Sequence, residues 1–353
     1  MDVVSVPLRP DLAALPAYVA GRTVPGAVKL ASNEMPAPPL PAVLDAIARA
    51  AADGNRYPDI GVSLLTARLA ESYGLDAERI AVGCGSVALC QQLVQAVCSP
   101  GDEVLFAWRS FEAYPIVSLI GHAEAVAVGL DADHVHDLDA MADAITASTR
   151  MVFVCNPNNP TSTAVHRGPL EGFLARVPDD VVVVIDEAYR EFVNDPDVPD
   201  ALTLLDAHPN VVVLRTFSKA HRLAGLRVGF AVAPAPLAAT LRAVSVPFSV
   251  NAPAQAAAIA ALDGLDELLA DCVAVVEERT RVRDALLGLG YRVPVSAANF
   301  VWLPLGDEAA PFASHALDNK VVVRAFAGDG VRVSTGTPQE NDLFLAAAAS
   351  FPR

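Results

Sequence analysis

The chain alternates between short runs of β-branched apolar residues and longer stretches in which apolar positions recur at helical spacing. Strands buried on both faces of a sheet, joined by helices that cover it, give this pattern. Val181–Ile185 is the cleanest run, five apolar residues in succession, and it ends on Asp186. Val211–Leu214 is the second, and Arg79–Val82, Glu103–Ala107, Ala125–Val128, Arg150–Val154 and Val228–Ala233 predict further strands. Good helix formers over Ala42–Ala52, the stretch from Val87 to Val97, and Leu138–Ala147 predict helices between them. The prolines at 247 and 253 mark a change of unit. Beyond them Ala254–Leu289 reads as a long helical region broken near Gly264. Tyr291–Leu305, Val321–Arg324 and Val331–Ser334 supply strands, closed by a helix over Gln339–Ser350. The sequence therefore predicts an α/β protein with an arm over residues 1–28, a large domain over 29–247 and a small C-terminal α/β domain over 248–353. The arm, rich in proline and poor in periodicity, reads as an extended segment lying on another surface.

Composition changes this picture little. A chain of 353 residues is longer than one small core needs, so two unequal domains are expected. The hydrophobic content is 53% and the mean hydropathy +0.38, yet no uninterrupted apolar run is long enough to cross a bilayer. The first residues lack a basic stretch followed by an apolar one, which argues against a signal peptide and for a cytoplasmic protein. A formal charge of -16 argues against nucleic acid and anionic membrane as partners, because both would repel it. Five cysteines without a Cys-x-x-Cys pair read as reduced, mostly buried thiols. His134 and His136, set among aspartates, match no standard metal-ligand spacing and read as a solvated loop; no metal is expected.

Candidate chemistry collects where predicted strands end. In an α/β sheet the ligand crevice lies outside the carboxyl ends of the strands. Lys219 follows the Val211–Leu214 strand, and Ser218 and Arg227 beside it offer a hydroxyl and a guanidinium for a phosphate. Gly83-Cys84-Gly85-Ser86-Val87 opens a helix, whose free N–H groups also attract phosphate, although loops use glycine routinely. Asp186 is costly to bury without a partner; it either meets a cationic ligand or caps the segment that follows. Phe111 reads as a core aromatic or as a ring stacked on a ligand, and Tyr57-Pro58-Asp59 as a turn.

The block Thr216 to Gly229, Thr-Phe-Ser-Lys-Ala-His-Arg-Leu-Ala-Gly-Leu-Arg-Val-Gly, resembles the Ser-Lys-x-x-x-x-Ala-Gly-Leu-Arg-x-Gly signature of the fold-type I aminotransferases, which use pyridoxal 5′-phosphate (PLP). The resemblance implies a large domain with a mostly parallel, seven-stranded-type sheet flanked by helices, and a small C-terminal α/β domain. It implies that Lys219 forms the Schiff base with the cofactor aldehyde and that Asp186 pairs with the protonated ring nitrogen. Tyr189 and Asn159 would then reach the phenolic oxygen, and Phe111 would stack on the ring. Gly85, Ser86, Val87, Thr216, Ser218 and Arg227 would hold the cofactor, and Tyr57 would reach the phosphate in the neighbouring subunit of a homodimer. Tyr18, Asn33, Asn159 and Arg332 would meet the substrate, Arg332 gripping its carboxylate. Asn159 falls in Asn156-Pro157-Asn158-Asn159-Pro160-Thr161-Ser162, similar to the family's Asn-Pro-x-Asn-Pro-Thr-Gly.

Gly-Cys-Gly-Ser-Val, Trp-Arg-Ser-Phe-Glu and Asn-Pro-Thr-Ser-Thr bring the likeness closer to the histidinol-phosphate aminotransferase branch, and within it to actinobacterial aromatic amino acid aminotransferases. The function so implied is amino transfer between an aromatic amino acid and 2-oxoglutarate. Histidinol-phosphate transamination is the alternative, with a PLP-dependent decarboxylase or a silent PLP-binding protein as readings from other classes. The chain departs from the family pattern at Met35, where asparagine is usual, and at Ser162, where glycine is usual and a positive φ would be strained. It departs again at His221-Arg222, where an aromatic or small residue and glycine are common.

Overall fold

The computed structural model describes residues 9, 12, 15 and 21–352, so Tyr18 lies outside the described residues. The apolar runs form one seven-stranded sheet. Its strands are β2 (Ile80–Gly83), β3 (Glu103–Trp108), β4 (Glu124–Gly129), β5 (Thr149–Cys155), β6 (Val182–Asp186), β7 (Val211–Thr216) and β8 (Gly229–Val232), in the order β2-β8-β7-β6-β5-β3-β4. β4, β3, β5, β6 and β7 pair in parallel, while β8 runs antiparallel to both of its neighbours. Helices cover both faces, which is why β6 and β7 carry apolar residues at successive positions instead of alternating. One face packs Leu105, Val152, Val183 and Val213 into one core; the other packs Val104, Met151, Val184 and Val212 into a second. The register fixes the geometry of everything that follows. Cys155 stands opposite Asp186, and Asp186 opposite Leu214, so three adjacent strands end at one level.

A smaller antiparallel sheet, order β11-β12-β9, is built from β9 (Phe300–Leu303), β11 (Arg324–Phe326) and β12 (Gly330–Ser334). Near it β1 (Val28–Lys29) pairs in parallel with β10 (Val321–Val322), binding the start of the described main chain to its last third. The alanine-rich helix Ala252–Asp263, which lies past residue 247, puts Ala254, Ala257, Ala258 and Ala261 into the same core as β6 and β7. The helix Leu265–Gly288 follows after Gly264. Its Leu268 joins the large core and its Val282 and Leu286 the small one, so the two cores divide along this helix. A separate cluster of Tyr189, Phe192, Ala220, Cys272, Val275, Ala298 and Phe300 lies where the two meet. Among the described residues no helix is long and apolar enough to cross a membrane.

Candidate active site

A cavity of about 240 Å³ opens where β5, β6 and β7 end and the small sheet approaches them. Lys219, three residues beyond β7, enters it from one side; its Nζ donates to the carbonyl of Ser32 at 3.1 Å. Burial pushes this ammonium down to about 7 from its usual 10.5, helped by the positive charges of Arg332 and Arg227 and opposed by Glu34. Asp186 closes β6 and is 2% exposed. Burial raises its carboxyl to about 6, against the Tyr114 hydroxyl, which donates to Oδ2 at 2.9 Å, and the Ala188 N–H, which donates to Oδ1. An amine that is partly neutral near pH 7 and a buried carboxylate thus share one cavity.

At the other end the groups suit an anion. Thr216 Oγ1 bonds the Ser218 hydroxyl at 3.0 Å, and the Arg227 guanidinium donates to Ser218 Oγ at 3.4 Å and to the Ala224 carbonyl at 2.9 Å. Ser86 and Val87 open the helix Ser86–Val97, whose first N–H groups have no intrahelical acceptor. Gly85, at φ +80°, makes the turn into it. A Cβ there would stand 2.4 Å from Arg227 Nη2, so glycine lets the guanidinium lie against the turn.

The wall that carries Arg332 is built by distant segments. Arg332, in β12, donates Nη2 to the Ala31 carbonyl at 2.8 Å and Nη1 to Asn159 Oδ1, between the rings of Phe300 and Phe326. Asn33 donates to the Tyr189 hydroxyl at 3.0 Å and accepts from Ser334 Oγ at 3.0 Å. Phe111 lines the same cavity, its ring edge-on to Tyr114. Ser162 does take the positive φ that the glycine of the family pattern suggested, at +62°. Its N–H donates to the Asn158 carbonyl and its hydroxyl to the Thr161 carbonyl, which anchor the turn beside Asn159.

The cavity therefore gathers Asn33, Ser86, Val87, Phe111, Asn159 and Asp186, together with Tyr189, Thr216, Ser218, Lys219, Arg227 and Arg332. Tyr57 is not among its lining: it is 83% exposed and stacks on Phe248 with centroids 4.5 Å apart. Three lining or supporting residues escaped the sequence reading. Arg324 faces Arg332 across the β11–β12 register and donates to Glu112 Oε2 at 2.9 Å. The turn signal Gly328-Asp329-Gly330 between two short apolar runs would have paired the two arginines. Tyr114, the third, carries no local mark beyond standing three residues after Phe111.

The class I and II aminotransferase family matches residues 25–347 of this chain. The chain belongs to that family. An aromatic amino acid aminotransferase of Rhodococcus jostii is 58% identical over 97% of this chain and 95% of its own length. One from Streptomyces coelicolor is 54% identical over 99% of both chains. The crystal structure of histidinol-phosphate aminotransferase from Sinorhizobium meliloti, in complex with pyridoxal-5′-phosphate, superposes with a TM-score of 0.87 at 28% identity, covering 97% of this chain and 96% of that one. The expected fold, a mostly parallel sheet with a smaller α/β unit, is the aminotransferase fold.

Proposed function

We propose that this aminotransferase transfers the amino group of an aromatic amino acid to a 2-oxo acid such as 2-oxoglutarate, with PLP held in the cavity described above. The observation that carries the reading is the pairing of a buried lysine after β7 with a buried aspartate at the end of β6, in a cavity whose far end offers an arginine for a carboxylate. The donor set fits PLP. Ser218, Arg227, Thr216 and the start of the Ser86–Val97 helix suit its phosphate, Asp186 its ring nitrogen, and Lys219 its aldehyde.

PLP supplies a sink for the electron pair left when the bond from Cα to hydrogen breaks. The rest belongs to the chain's own groups. Asp186, unable to reach water, keeps a negative charge where a protonated ring nitrogen would stand. Lys219, held near 7, is basic enough to take the Cα proton and acidic enough to return one to the neighbouring carbon. Arg332, fixed by Ala31 and Asn159, orients the α-carboxylate, the ring of Phe326 suits an aromatic side chain, and Phe111 is left to stack on the cofactor ring. A histidinol phosphate reading would draw on Arg324 as a second cation, but that guanidinium already donates to Glu112. The two relatives named for aromatic substrates support the same choice.

The assembly proposed is a cytoplasmic homodimer in which Tyr57 completes the partner's site. Exposed Tyr57, Ile60, Val246 and Phe248 support it, because Tyr57 stacks on Phe248, which lines one groove with Ile60 and Val246, and apolar side chains grouped at one surface favour association; Leu64 is exposed on the helix Ser63–Tyr73 that follows. The experiment that tests the substrate is a single-turnover titration of the PLP-loaded protein with phenylalanine and, separately, histidinol phosphate, followed by the visible absorbance of the cofactor. Faster conversion by phenylalanine at low concentration is expected. Preference for histidinol phosphate would overturn the aromatic assignment, and no conversion with either would overturn transamination of both.

A further inference from the structure

Two of the sequence departures stand side by side in the loop that carries Lys219, and they behave differently. His221 is buried against Phe217, and burial pushes its imidazole down to about 4, so it is a neutral packing group. Arg222 has φ +60°, a backbone region that side chains with a Cβ rarely adopt and that glycine enters freely. Its side chain is nonetheless only 6% exposed. A cation drawn into the protein at an unfavourable φ needs fixed partners, and two are present. Nη1 donates to the Pro38 carbonyl at 2.8 Å, and Nη2 lies against the Asp271 carboxylate as a charge contact without hydrogen-bond geometry, while buried Nε has no hydrogen-bond partner among the described residues.

The three anchors belong to three different parts of the site. The Arg222 N–H donates to the Lys219 carbonyl at 2.9 Å, so this residue closes the turn that starts at the lysine. Pro38 lies six residues beyond Ser32, whose carbonyl receives Lys219 Nζ. Asp271 lies in the Leu265–Gly288 helix, along which the two cores divide, and its neighbour Cys272 packs with Tyr189 and Ala220. Ala220 adjoins Lys219 in the chain.

We propose that Arg222 is a positioning residue that ties the Lys219 turn to the segment after Ser32 and to the Leu265–Gly288 helix, keeping the lysine seated in the cavity only while that helix is in place. The role rests on the reading of Lys219 as the PLP-bearing lysine. It differs from simple loop stabilisation in one respect. A glycine at 222 relieves the backbone strain, so a merely structural loop would tolerate Arg222→Gly or gain from it.

The test uses full-length PLP-loaded protein and the variants Arg222→Gly, Arg222→Lys, Asp271→Ala and the Arg222→Gly/Asp271→Ala double. Two quantities are read: kcat and KM for phenylalanine, and, without substrate, the pH midpoint of the cofactor's visible absorbance. Arg222→Gly should lower kcat about fivefold with KM within about twofold, as expected when a reacting group is misplaced and substrate binding is kept. The midpoint should move by at least about half a pH unit, because the nitrogen that carries it would no longer sit at a fixed place relative to the charges of Arg332 and Arg227. Arg222→Lys should recover part of both effects. Asp271→Ala should reproduce them, and the double variant should add little to either single one.

Unchanged kcat and midpoint in a folded Arg222→Gly protein would overturn the proposal, as would losses that multiply in the double variant. If Arg222→Gly fails to fold, Asp271→Ala at its half-exposed site decides the matter alone by the same two readings. A wild-type protein with PLP added but no absorbance band would instead sink the Lys219 reading itself, so the two failures are distinguishable.

Discussion

The two titratable groups at the centre of the cavity are both held away from their ordinary values by burial, and the sign of each shift makes a prediction. For Asp186 the folded value near 6 lies above the ordinary 3.8. Between those limits the folded state holds more protons than the unfolded one, so stability falls as pH rises from about 4 to 6. The cost of the buried charge is fully present above 6. Asp186→Asn should therefore make the cofactor-free protein melt at a higher temperature at pH 7 and lose that advantage towards pH 4. The same change should lower kcat on the order of a thousandfold, about 4 kcal/mol, because a neutral amide holds no charge against the ring nitrogen. Scanning calorimetry at both pH values and steady-state kinetics check the two halves. Lys219 has the opposite sense of charge. Its folded value near 7 lies below 10.5, so the unfolded state holds more protons between them and stability rises with pH across that window. Lys219→Met should stabilise the cofactor-free protein at pH 6, where both states of the lysine are charged, with the gain fading by pH 10.

At the scale of elements, the start of the Ser86–Val97 helix offers the sharpest single change. Gly85→Ala would put a Cβ within 2.4 Å of Arg227 Nη2 at a φ of +80°, so the guanidinium must leave the anion end of the cavity. PLP affinity, read by titrating the cofactor into cofactor-free protein, should weaken about tenfold or more, about 1.4 kcal/mol. A cofactor affinity within twofold of the parent would show that Arg227 has another way to lie. Here the sequence was informative. Strands buried on both faces announce themselves as unbroken β-branched runs, and Val181–Ile185 and Val211–Leu214 fixed where Asp186 and Lys219 would stand. Tyr114 was not legible, because its hydroxyl earns its role only after the helix Ala113–Ile120 lies beside β6. Glu112 and Arg324 were hidden for the same reason, being 212 residues apart in the chain. The helix Ala252–Asp263 gave no local hint of which core it would join, since alanine packs in either.

Across the whole molecule, a chain of charge -16 presents a cavity rich in cations: Lys219, Arg227, Arg324 and Arg332 against Asp186 and Glu112. This contrast favours anionic ligands inside while the surface repels them, so capture of PLP and of a 2-oxo acid such as 2-oxoglutarate should speed up as salt screens the exterior, while capture of zwitterionic phenylalanine should change little. The proposed dimer makes a separate prediction. Leu64→Asp, at a residue 75% exposed, should shift sedimentation towards the monomer and weaken PLP binding with it, because Tyr57 would no longer reach a partner. A monomer that keeps full PLP affinity would remove Tyr57 from the site, and a variant that stays dimeric would remove Leu64 from the interface.

The hydrogen bonds that close the cavity wall around Arg332 join residues far apart in the sequence. Asn33 meets Ser334, and Arg332 meets the Ala31 carbonyl, each pair 301 positions apart. The large sheet, by contrast, is complete once β8 ends at Val232. During synthesis, then, a growing chain can form its main sheet and the lysine turn long before Arg332, the arginine proposed to grip the carboxylate, has been translated. Until the last strand arrives, the emerging protein is a scaffold with no closed pocket, and its chemistry switches on only when the final stretch folds back onto the first.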